Sequence, residues 1–452
     1  MQSFNSSAVL GRNARLHWLI AAGVLFAGLE RIDLLAGRGV NLTPFVVMCP
    51  LLLFVAITTK SVVDDNSRRA KVGTIALALF LLFAFASLYV SDAPLSPQRF
   101  VLVMLLSTGG WSLIHIVRRT KDYAAVRKGA VLGLGAYVIL DLLQYFTYQQ
   151  YGLDGPNFIG VIDVTINPYG PDTARLGGGS ADANRGAMVV ATYAYLLLGD
   201  PVVSRARSWP WTSAVLLLGT ALVILTLSRS GLLVFVLVMG GAIVRLVRYL
   251  TPAQIGIAHI AASGFVLWAV ASSRLSSLTA LDTLVGRLTL DGSTLSHFAL
   301  IQRGLDAIGA DTLLVGTGYG SSYLYLQDFF PDNIYANYHS LYVTVLLEVG
   351  LAALLVVLFL VAVPVFGPRC WLALGTVLFG VFYQAASDPI FWLQVAMFWL
   401  LPLLGHKADG PLDDFGERRR RTPATDFRMI ERPSESCLSL TTQRQEKPRP
   451  AG

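Results

Sequence analysis

Apolar runs of about 20 residues recur along the chain, and short polar segments separate them. An α-helix needs about this length of apolar sequence to cross the hydrocarbon core of a bilayer. The pattern therefore predicts an all-α, polytopic integral membrane protein with about twelve transmembrane helices. The predicted spans are residues 16–29, 40–59, 72–90, 100–117, 129–148, 186–199, 211–227, 231–247, 254–271, 340–363, 371–386 and 390–404.

Composition supports this class of protein. Hydrophobic residues make up 54% of the chain and charged residues only 14%, whereas about a quarter of the residues in a soluble domain are charged. The first apolar run is followed by Glu30, Arg31 and Asp33 rather than by small residues. We therefore expect a retained helix there and not a cleaved signal peptide.

Basic residues predict the orientation of the chain. The short connections on the side of both termini hold more Lys and Arg than the longer loops on the opposite side. By the positive-inside rule, both termini lie in the cytoplasm. The net charge of +7 follows from this bias and from the run Arg418–Arg421, so no nucleic-acid partner is needed to explain it.

The chain divides into a transmembrane domain, residues 1–406, and a polar, Pro-rich and Arg-rich tail, residues 407–452. The tail is predicted to be disordered and to rest on anionic lipid headgroups at the cytoplasmic surface. Two long outer loops interrupt the domain, the first at about 149–184 and the second at about 273–338. Long loops in compact proteins are usually functional, so an active site would face outward. Within the second long loop, the spacing at 296–309 predicts an amphipathic surface helix.

The segment Ser228-Arg229-Ser230 lies at the outer junction of two predicted helices, with almost no loop between them. An arginine so close to the hydrocarbon boundary is costly unless it meets a partner. One interpretation is an interfacial Arg229 that binds lipid phosphate or backbone carbonyls. The other is a guanidinium that grips a substrate phosphate, which its fork of donors suits.

Two more features lie in or beside the second long loop. The glycines of Leu314–Gly320, including Gly316 and Gly318, follow no buried strand and open no Rossmann-type helix, so they predict a tight turn, with close backbone approach to a ligand as a further role. His339 stands at the start of a predicted helix, where it is either structural or a general base. Glu348 lies about 13 Å further along that helix and on its opposite face, which predicts a structural carboxylate.

The chain resembles the O-antigen ligase and polysaccharide polymerase family of bacterial envelopes. The matching segments are LTLSRSGLLVFVLV at 225–238, LLVGTGYGSSY at 313–323 and YHSLYVTVLLEVGLAALLVVLF at 338–359. Members typically show a Ser-Arg-Ser or similar triplet at a helix junction, then a large periplasmic loop with an arginine and a Gly-x-Gly turn. A His-Asn or His-Ser pair then opens a helix that ends Glu-x-Gly. The resemblance covers roughly residues 184–365.

The resemblance implies glycosyl transfer at the periplasmic face of a bacterial inner membrane. The donor would be an oligosaccharide on undecaprenyl pyrophosphate, and an acceptor hydroxyl would attack its anomeric carbon. Arg229, flanked by Ser228 and Ser230, would bind the pyrophosphate, and His339 would activate the acceptor. The family is regarded as metal-independent, and the sequence agrees in having no Asp-x-Asp motif and no outer Cys/His cluster with ligand spacing. No cofactor is expected.

A second phosphate contact is left open among three residues. The family usually carries another arginine upstream of the Gly-x-Gly turn, and its spacing counted back from Gly316 falls on Phe298 or His297. Arg303, on the predicted amphipathic helix, is the preferred candidate, and Arg287 is the second. His297 could itself donate to phosphate if protonated.

The resemblance favours an exopolysaccharide, capsule or O-antigen polymerase. The alternative is an O-antigen ligase that transfers lipid-linked glycan to lipid A core. A different class is a twelve-helix transporter or lipid-linked oligosaccharide flippase, for which Asp141 is the clearest mid-helix charge besides Glu348, although the two halves do not look alike. Expected partners are the lipid-linked oligosaccharide and membrane lipids, with a chain-length regulator and a flippase of the same pathway as further candidates.

Overall fold

The computed structural model describes residues 4–36, 42–59, 67–168, 174–204, 209–247, 292–331, 333 and 336–402. The predicted span at 254–271 and the tail at 407–452 lie outside these residues. The described helices are α1 (Phe4–Phe26), α2 (Pro44–Thr58), α3 (Arg68–Ala86), α4 (Ser96–Thr120), α5 (Tyr123–Tyr151), α6 (Ala183–Leu198), α7 (Trp209–Leu225), α8 (Arg229–Val247), α9 (Gly292–Asp306), α10 (Ala310–Val315), α11 (Ser322–Tyr325), α12 (Leu341–Val349), α13 (Leu351–Ala362), α14 (Cys370–Phe382) and α15 (Pro389–Leu400).

The helical class predicted from the apolar runs agrees with the structure. Every predicted span other than 254–271 overlaps a described helix. Among the described residues, three helical segments are long and apolar enough, by length and composition, to cross a membrane, namely Arg68–Val90, Ser96–Thr120 and Tyr123–Asp154. The described strands are short and form two antiparallel pairs in the first long loop, β1 (Phe158–Ile159) with β2 (Ile162–Asp163) and β3 (Asn167–Pro168) with β4 (Ala174–Arg175).

Aspartates start three of the helices by accepting hydrogen bonds from backbone N–H groups of the first turn. Asp122 accepts from Ala125 N at 3.0 Å at the start of α5. Asp182 accepts from the N–H of Asn184 at 2.7 Å at the start of α6, and Asp388 does the same for Ile390 at 3.1 Å at the start of α15. Such caps satisfy donors that have no partner inside the helix.

Two helices form the centre of the bundle. All residues of α15 are buried, and α6 is buried from Gly186 to Leu198. A helix that is apolar on all sides is expected in such a central position. Around them, α2 packs on α4, α1 on α5, and α8 on both α6 and α14. Glycines permit the closest approaches, as at Gly129, where an added Cβ would lie 2.5 Å from the Ala21 carbonyl oxygen.

The span predicted as one helix at 340–363 is wrong in one respect, because it is two helices separated at Gly350. Gly350 has a φ of 98°, which breaks the helix between α12 and α13. The glycine turn of the second long loop packs against the end of α12. There, Thr317 N donates to the Leu347 carbonyl at 2.7 Å and Gly318 N donates to the Glu348 carbonyl at 2.9 Å. These donors satisfy carbonyls that a continuous helix would have bonded internally.

The first long loop is anchored to the helices by buried polar groups. Arg31, only 1% exposed, donates to the carbonyl oxygens of Ser180 and Thr165, both at 2.7 Å. On α5, Asp141 accepts from Gly178 N at 2.8 Å and Gln144 accepts from Gly177 N at 3.3 Å. Asp141, the mid-helix charge considered for a transporter, therefore holds a loop in place.

Candidate active site

Arg229 is the first residue of α8, and residues 226–228 form the whole connection from α7. Leu227 adopts a left-handed conformation with a φ of 50°, which turns the chain sharply. The Ser228 hydroxyl oxygen accepts from Gly231 N at 2.9 Å, and the Ser230 hydroxyl lies 3.4 Å from it. The Ser-Arg-Ser triplet is thus a helix start: Ser228 caps α8 and places the half-buried Arg229 at its N-terminus.

The connection that carries Arg229 is tied to the first long loop and to α6. Ser228 donates its hydroxyl to Asn184 Oδ1 at 2.7 Å, and Arg175 donates to the same oxygen at 3.1 Å. Arg175 also donates through Nε to the Thr226 carbonyl at 3.0 Å. Gly231 of α8 packs so tightly on Ala187 of α6 that a Cβ there would collide. The N-termini of α6 and α8 therefore lie side by side, and both favour an anion.

His339 lies two residues before the first residue of α12 and adopts a left-handed conformation, with a φ of 51°. Its backbone N–H donates to the Asn337 side-chain oxygen at 2.9 Å. Ser340 then caps the helix by accepting from Val343 N, and Leu341 N donates to the Tyr383 carbonyl at 3.0 Å. Positive φ is costly for a residue with a side chain and is found often at functional sites. Among the described residues it occurs at only three non-glycine positions: Lys121, Leu227 and His339.

A chain of contacts connects Arg229 with His339. Arg185, in the first turn of α6, follows Asn184, whose side chain accepts from Ser228. The Arg185 guanidinium binds both carboxylate oxygens of Glu30 at 3.1 Å, the Tyr383 hydroxyl, and the Ser387 hydroxyl at 3.2 Å. Through its carbonyl, Tyr383 holds the start of α12 beside His339. Arg229 and His339 thus lie at one end of the bundle, where α6, α8, α12 and α15 begin; we call it the Arg185 end.

The glycine turn predicted in the second long loop has positive φ at each of its three glycines, 77° at Gly316, 100° at Gly318 and 80° at Gly320. Protein atoms fill the space that a side chain would need. A Cβ at Gly316 would collide with the Glu348 carbonyl, and one at Gly318 would collide with Ser91. The glycines therefore serve a tight turn that packs between Ser91 and α12. A substrate contact by Gly316 and Gly318 stays a prediction.

Glu348 supports this turn from the end of α12. Its carboxylate accepts hydrogen bonds from Gly320 N at 2.8 Å and from Ser322 N at 3.1 Å, and it also accepts from the Ser322 hydroxyl. The side chain is buried. These contacts agree with the structural role predicted for Glu348.

Of the candidates for a second phosphate contact, only Arg303 has a described side chain. Arg303 lies on α9, is 49% exposed, and pairs with Asp328 at 3.3 Å. The next residue, Gly304, packs against Tyr338, where an added Cβ would lie 2.9 Å from the ring. Arg303 is therefore on the part of α9 that contacts the residue before His339. Arg287 lies outside the described residues, and His297 is on α9 but its side chain is not described.

Sequence reasoning missed the group around Arg185, which includes Glu30, Tyr383 and Asp388. Asp388 is 1% exposed. Burial, with the negative charge of Glu30 adding to it, raises the pKa of Asp388 to about 8. Glu30 lies 155 positions from Arg185 and Tyr383 lies 198 positions away. In the sequence, Glu30 follows one apolar run, and Arg185 and Asp388 each stand before another. This pattern does not identify which of these residues are partners.

The mostly helical structure, with helices long and apolar enough to cross a membrane, is consistent with an all-α membrane protein, and the Arg185 end of its bundle brings together Arg175, Arg185 and Arg229. Residues 214–358, about a third of the chain, match the family model described as O-Antigen ligase. This match supports placing the protein in an O-antigen ligase/polymerase-like family, in agreement with the predicted resemblance. The matched segment contains Arg229, Arg303 and His339. No curated protein matches the chain.

Proposed function

We propose that the protein joins undecaprenyl-pyrophosphate-linked repeat units at the periplasmic face of a bacterial inner membrane, as an exopolysaccharide, capsule or O-antigen polymerase. The observation that carries this proposal is the position of Arg229. Its guanidinium belongs to the first residue of α8, next to the N-terminus of α6, and contacts join that junction to α12 at His339. The same end of the bundle can therefore bind an anionic leaving group and activate an acceptor hydroxyl.

Arg229 would bind the pyrophosphate of the donor. The leaving lipid pyrophosphate carries several negative charges, and fixed guanidinium and backbone donors stabilise that charge as the glycosidic bond breaks. The adjacent helix N-termini add partial positive charge in the same direction. Ser228 and Ser230 flank Arg229, and their hydroxyls are further donors for phosphate oxygens. In this scheme guanidinium groups neutralise the leaving group in place of a divalent cation.

His339 would act as general base on the acceptor. Its imidazole takes the proton of the acceptor hydroxyl as that oxygen attacks the anomeric carbon of the donor sugar. A new glycosidic C–O bond forms, the bond from the anomeric carbon to the pyrophosphate oxygen breaks, and the electron pair leaves with the pyrophosphate. Arg303 would supply a second phosphate contact, because α9 packs against Tyr338 at Gly304.

The direct test uses the purified protein with a lipid-linked repeat unit, in the presence and absence of lipid A core. A ladder of longer lipid-linked chains supports the polymerase. Transfer only to lipid A core would instead identify a ligase. Arg229→Ala and His339→Ala should each abolish long chains while leaving the protein in the membrane. Lys128→Ala is the control, because Lys128 stacks on Trp18 at the far end of α5 from the first long loop. Normal polymer length in both site variants would contradict the proposal.

Analysis of a deletion strain separates the alternatives in the cell. Single repeat units on the lipid carrier indicate a missing polymerase, and long chains still on the carrier indicate a missing ligase. Lipid-linked units trapped on the cytoplasmic side would indicate a flippase. Labelling of single cysteines introduced beside Arg229 and His339 by a membrane-impermeant reagent tests the proposed periplasmic orientation, with both termini in the cytoplasm.

A further inference from the structure

All three guanidinium nitrogens of Arg185 hydrogen-bond to the protein itself. Nη1 lies 3.1 Å from both carboxylate oxygens of Glu30, Nη2 lies 3.2 Å from the Ser387 hydroxyl, and Nε donates to the Tyr383 hydroxyl. The guanidinium also faces the Tyr383 ring, 5.2 Å from its centroid. These contacts use the planar fork of an arginine in a way that lysine cannot reproduce. A guanidinium so engaged acts on the site through its partners.

Arg185 and its chain neighbour Asn184 link the two elements that carry the proposed catalytic residues. On one side, Asn184 precedes Arg185 in the first turn of α6 and accepts the Ser228 hydroxyl at 2.7 Å, next to Arg229. On the other side, the Tyr383 carbonyl accepts from Leu341 N at 3.0 Å, two residues after His339. Together, the contacts of Asn184 and Arg185 therefore connect the start of α8 with the start of α12, two elements more than 100 positions apart in the sequence.

Glu30 holds Arg185 from a third element, the connection after α1. The direction of that connection is set by the next residue, Arg31, which is buried and donates to the carbonyls of Ser180 and Thr165. Arg31 N also donates to the Gly179 carbonyl at 2.9 Å. Consecutive side chains thus attach the connection to two places: Arg31 to the first long loop, and Glu30 to α6. The anion that holds Arg185 is itself held rigidly.

We propose that Arg185 is a positioning residue that sets the separation of Arg229 and His339 during glycan transfer. This inference rests on the proposed function. Transfer requires the phosphate-binding guanidinium and the base to lie on either side of one anomeric carbon. A displacement of about 1 Å in such a geometry costs on the order of 100-fold in rate. Arg185 contributes to the reaction by holding α6, α12 and the connection after α1 in register.

The test measures kcat and KM for a lipid-linked repeat unit with purified wild type, Arg185→Gln, Arg185→Lys and Tyr383→Phe. We expect kcat to fall about 10- to 100-fold in Arg185→Gln, with KM for the donor within about twofold of wild type, because the groups that bind phosphate are kept but misplaced. Arg185→Lys should recover only part of kcat. Tyr383→Phe removes a single hydroxyl and should lower kcat in the same direction, which keeps the test valid if Arg185→Gln folds poorly.

Arg369→Gln is the matched control. Arg369 forms a buried ion pair with Asp200, Nε to Oδ2 at 2.7 Å, just beyond the opposite end of α6. Its loss should destabilise the protein at least as much as Arg185→Gln and leave kcat per folded molecule unchanged. An equal fall of kcat in both variants would attribute the effect to general destabilisation and overturn the inference.

The remaining outcomes separate this inference from the proposed function. An active wild type with unchanged kcat in Arg185→Gln and Tyr383→Phe overturns the inference alone. A raised KM at constant kcat also overturns it, since Arg185 would then contact the donor directly. A wild type that transfers no glycan from any lipid-linked donor overturns the proposed function, and the inference with it.

Discussion

The Glu348 carboxylate accepts a hydrogen bond of 2.8 Å from the backbone N–H of Gly320, 28 positions earlier in the chain. It also accepts from the N–H and the hydroxyl of Ser322. These donors replace water around a buried carboxylate, which would otherwise be costly to bury. The pair joins the glycine turn of the second long loop to α12, the helix that begins next to His339.

Glu348→Gln should destabilise the protein. An amide presents one oxygen and one NH₂ group, so the NH₂ group would face N–H donors that now meet a carboxylate oxygen. We expect a loss of about 1–3 kcal/mol in unfolding free energy, measured as a lower Tm in detergent. Asp306→Asn is the control, because Asp306 is exposed and its carboxylate accepts from the exposed Gln302 side chain. A variant as stable as wild type would show that the carboxylate does not hold the turn.

Gly350→Ala should be strongly destabilising. Gly350 has a φ of 98°, and an added Cβ would collide with the Leu314 carbonyl. Backbone strain of this kind costs about 1–3 kcal/mol before the steric clash is added. Gly240→Ala is the opposite case, because Gly240 lies within α8 with no atom inside 4 Å of the added Cβ. There alanine should be neutral or stabilising by up to about 1 kcal/mol. Thermal unfolding of both variants checks the contrast.

The raised pKa of Asp388 predicts that the stability of the folded protein depends on pH. Burial raises its pKa from 3.8 to about 8, so the folded protein binds this proton more tightly than the unfolded chain. The stabilisation is therefore fully present below the ordinary pKa and is lost as the pH rises through about 8. Its Oδ2 atom is buried and has no hydrogen-bond partner in the part of the chain that the structure describes, so a negative charge there would have no donor to stabilise it.

The measurement is Tm between about pH 6 and about pH 9. Wild type should lose stability across this range. Asp388→Asn should lose less, because asparagine can keep the cap on Ile390 N and carries no charge at any of these pH values. Asp328→Asn, at an 81% exposed carboxylate, should follow wild type. Parallel curves for wild type and Asp388→Asn would assign the pH dependence to another group.

The buried pair of Arg369 and Asp200 predicts a non-additive double variant. Arg369→Met leaves the Asp200 carboxylate buried without its cation, which should cost about 3–5 kcal/mol. Adding Asp200→Asn removes the charge but keeps an acceptor for the N–H groups of Val202 and Val203. The double variant should therefore recover part of the lost stability. Chemical or thermal unfolding of the three variants tests this, and simple additivity would mean that the pair contributes no coupling.

Much of the helical architecture could be predicted from sequence because it depends on local properties. An apolar run long enough to cross a bilayer forms a helix whatever its neighbours are, since its backbone polar groups bond within the segment. The same locality made Arg229 and His339 visible, because each stands in a short motif at the start of a helix. From the sequence, the placement of both residues at the same end of the bundle was an expectation that needed the tertiary structure to be decided.

The break at Gly350 shows the limit of that reasoning. The run 340–363 is apolar enough for one helix, yet the helix stops because Thr317 and Gly318 supply donors to the carbonyls of Leu347 and Glu348. No property of residues 340–363 indicates that the segment around Thr317, 30 positions before Leu347, is their partner.

The sequence by itself determined the class of protein, the approximate positions of most helices, and two local motifs with the chemistry for phosphate and for proton transfer. Only the tertiary structure decided which distant groups meet, Arg185 with Glu30 and Tyr383 and Arg31 with the first long loop, and that Asp388 is buried beside Glu30, which raises its pKa. The physical reason is the distance along the chain over which each kind of interaction acts. Apolar periodicity and helix caps act over a few residues, whereas ion pairs and pKa shifts depend on distances in space between residues far apart in the chain.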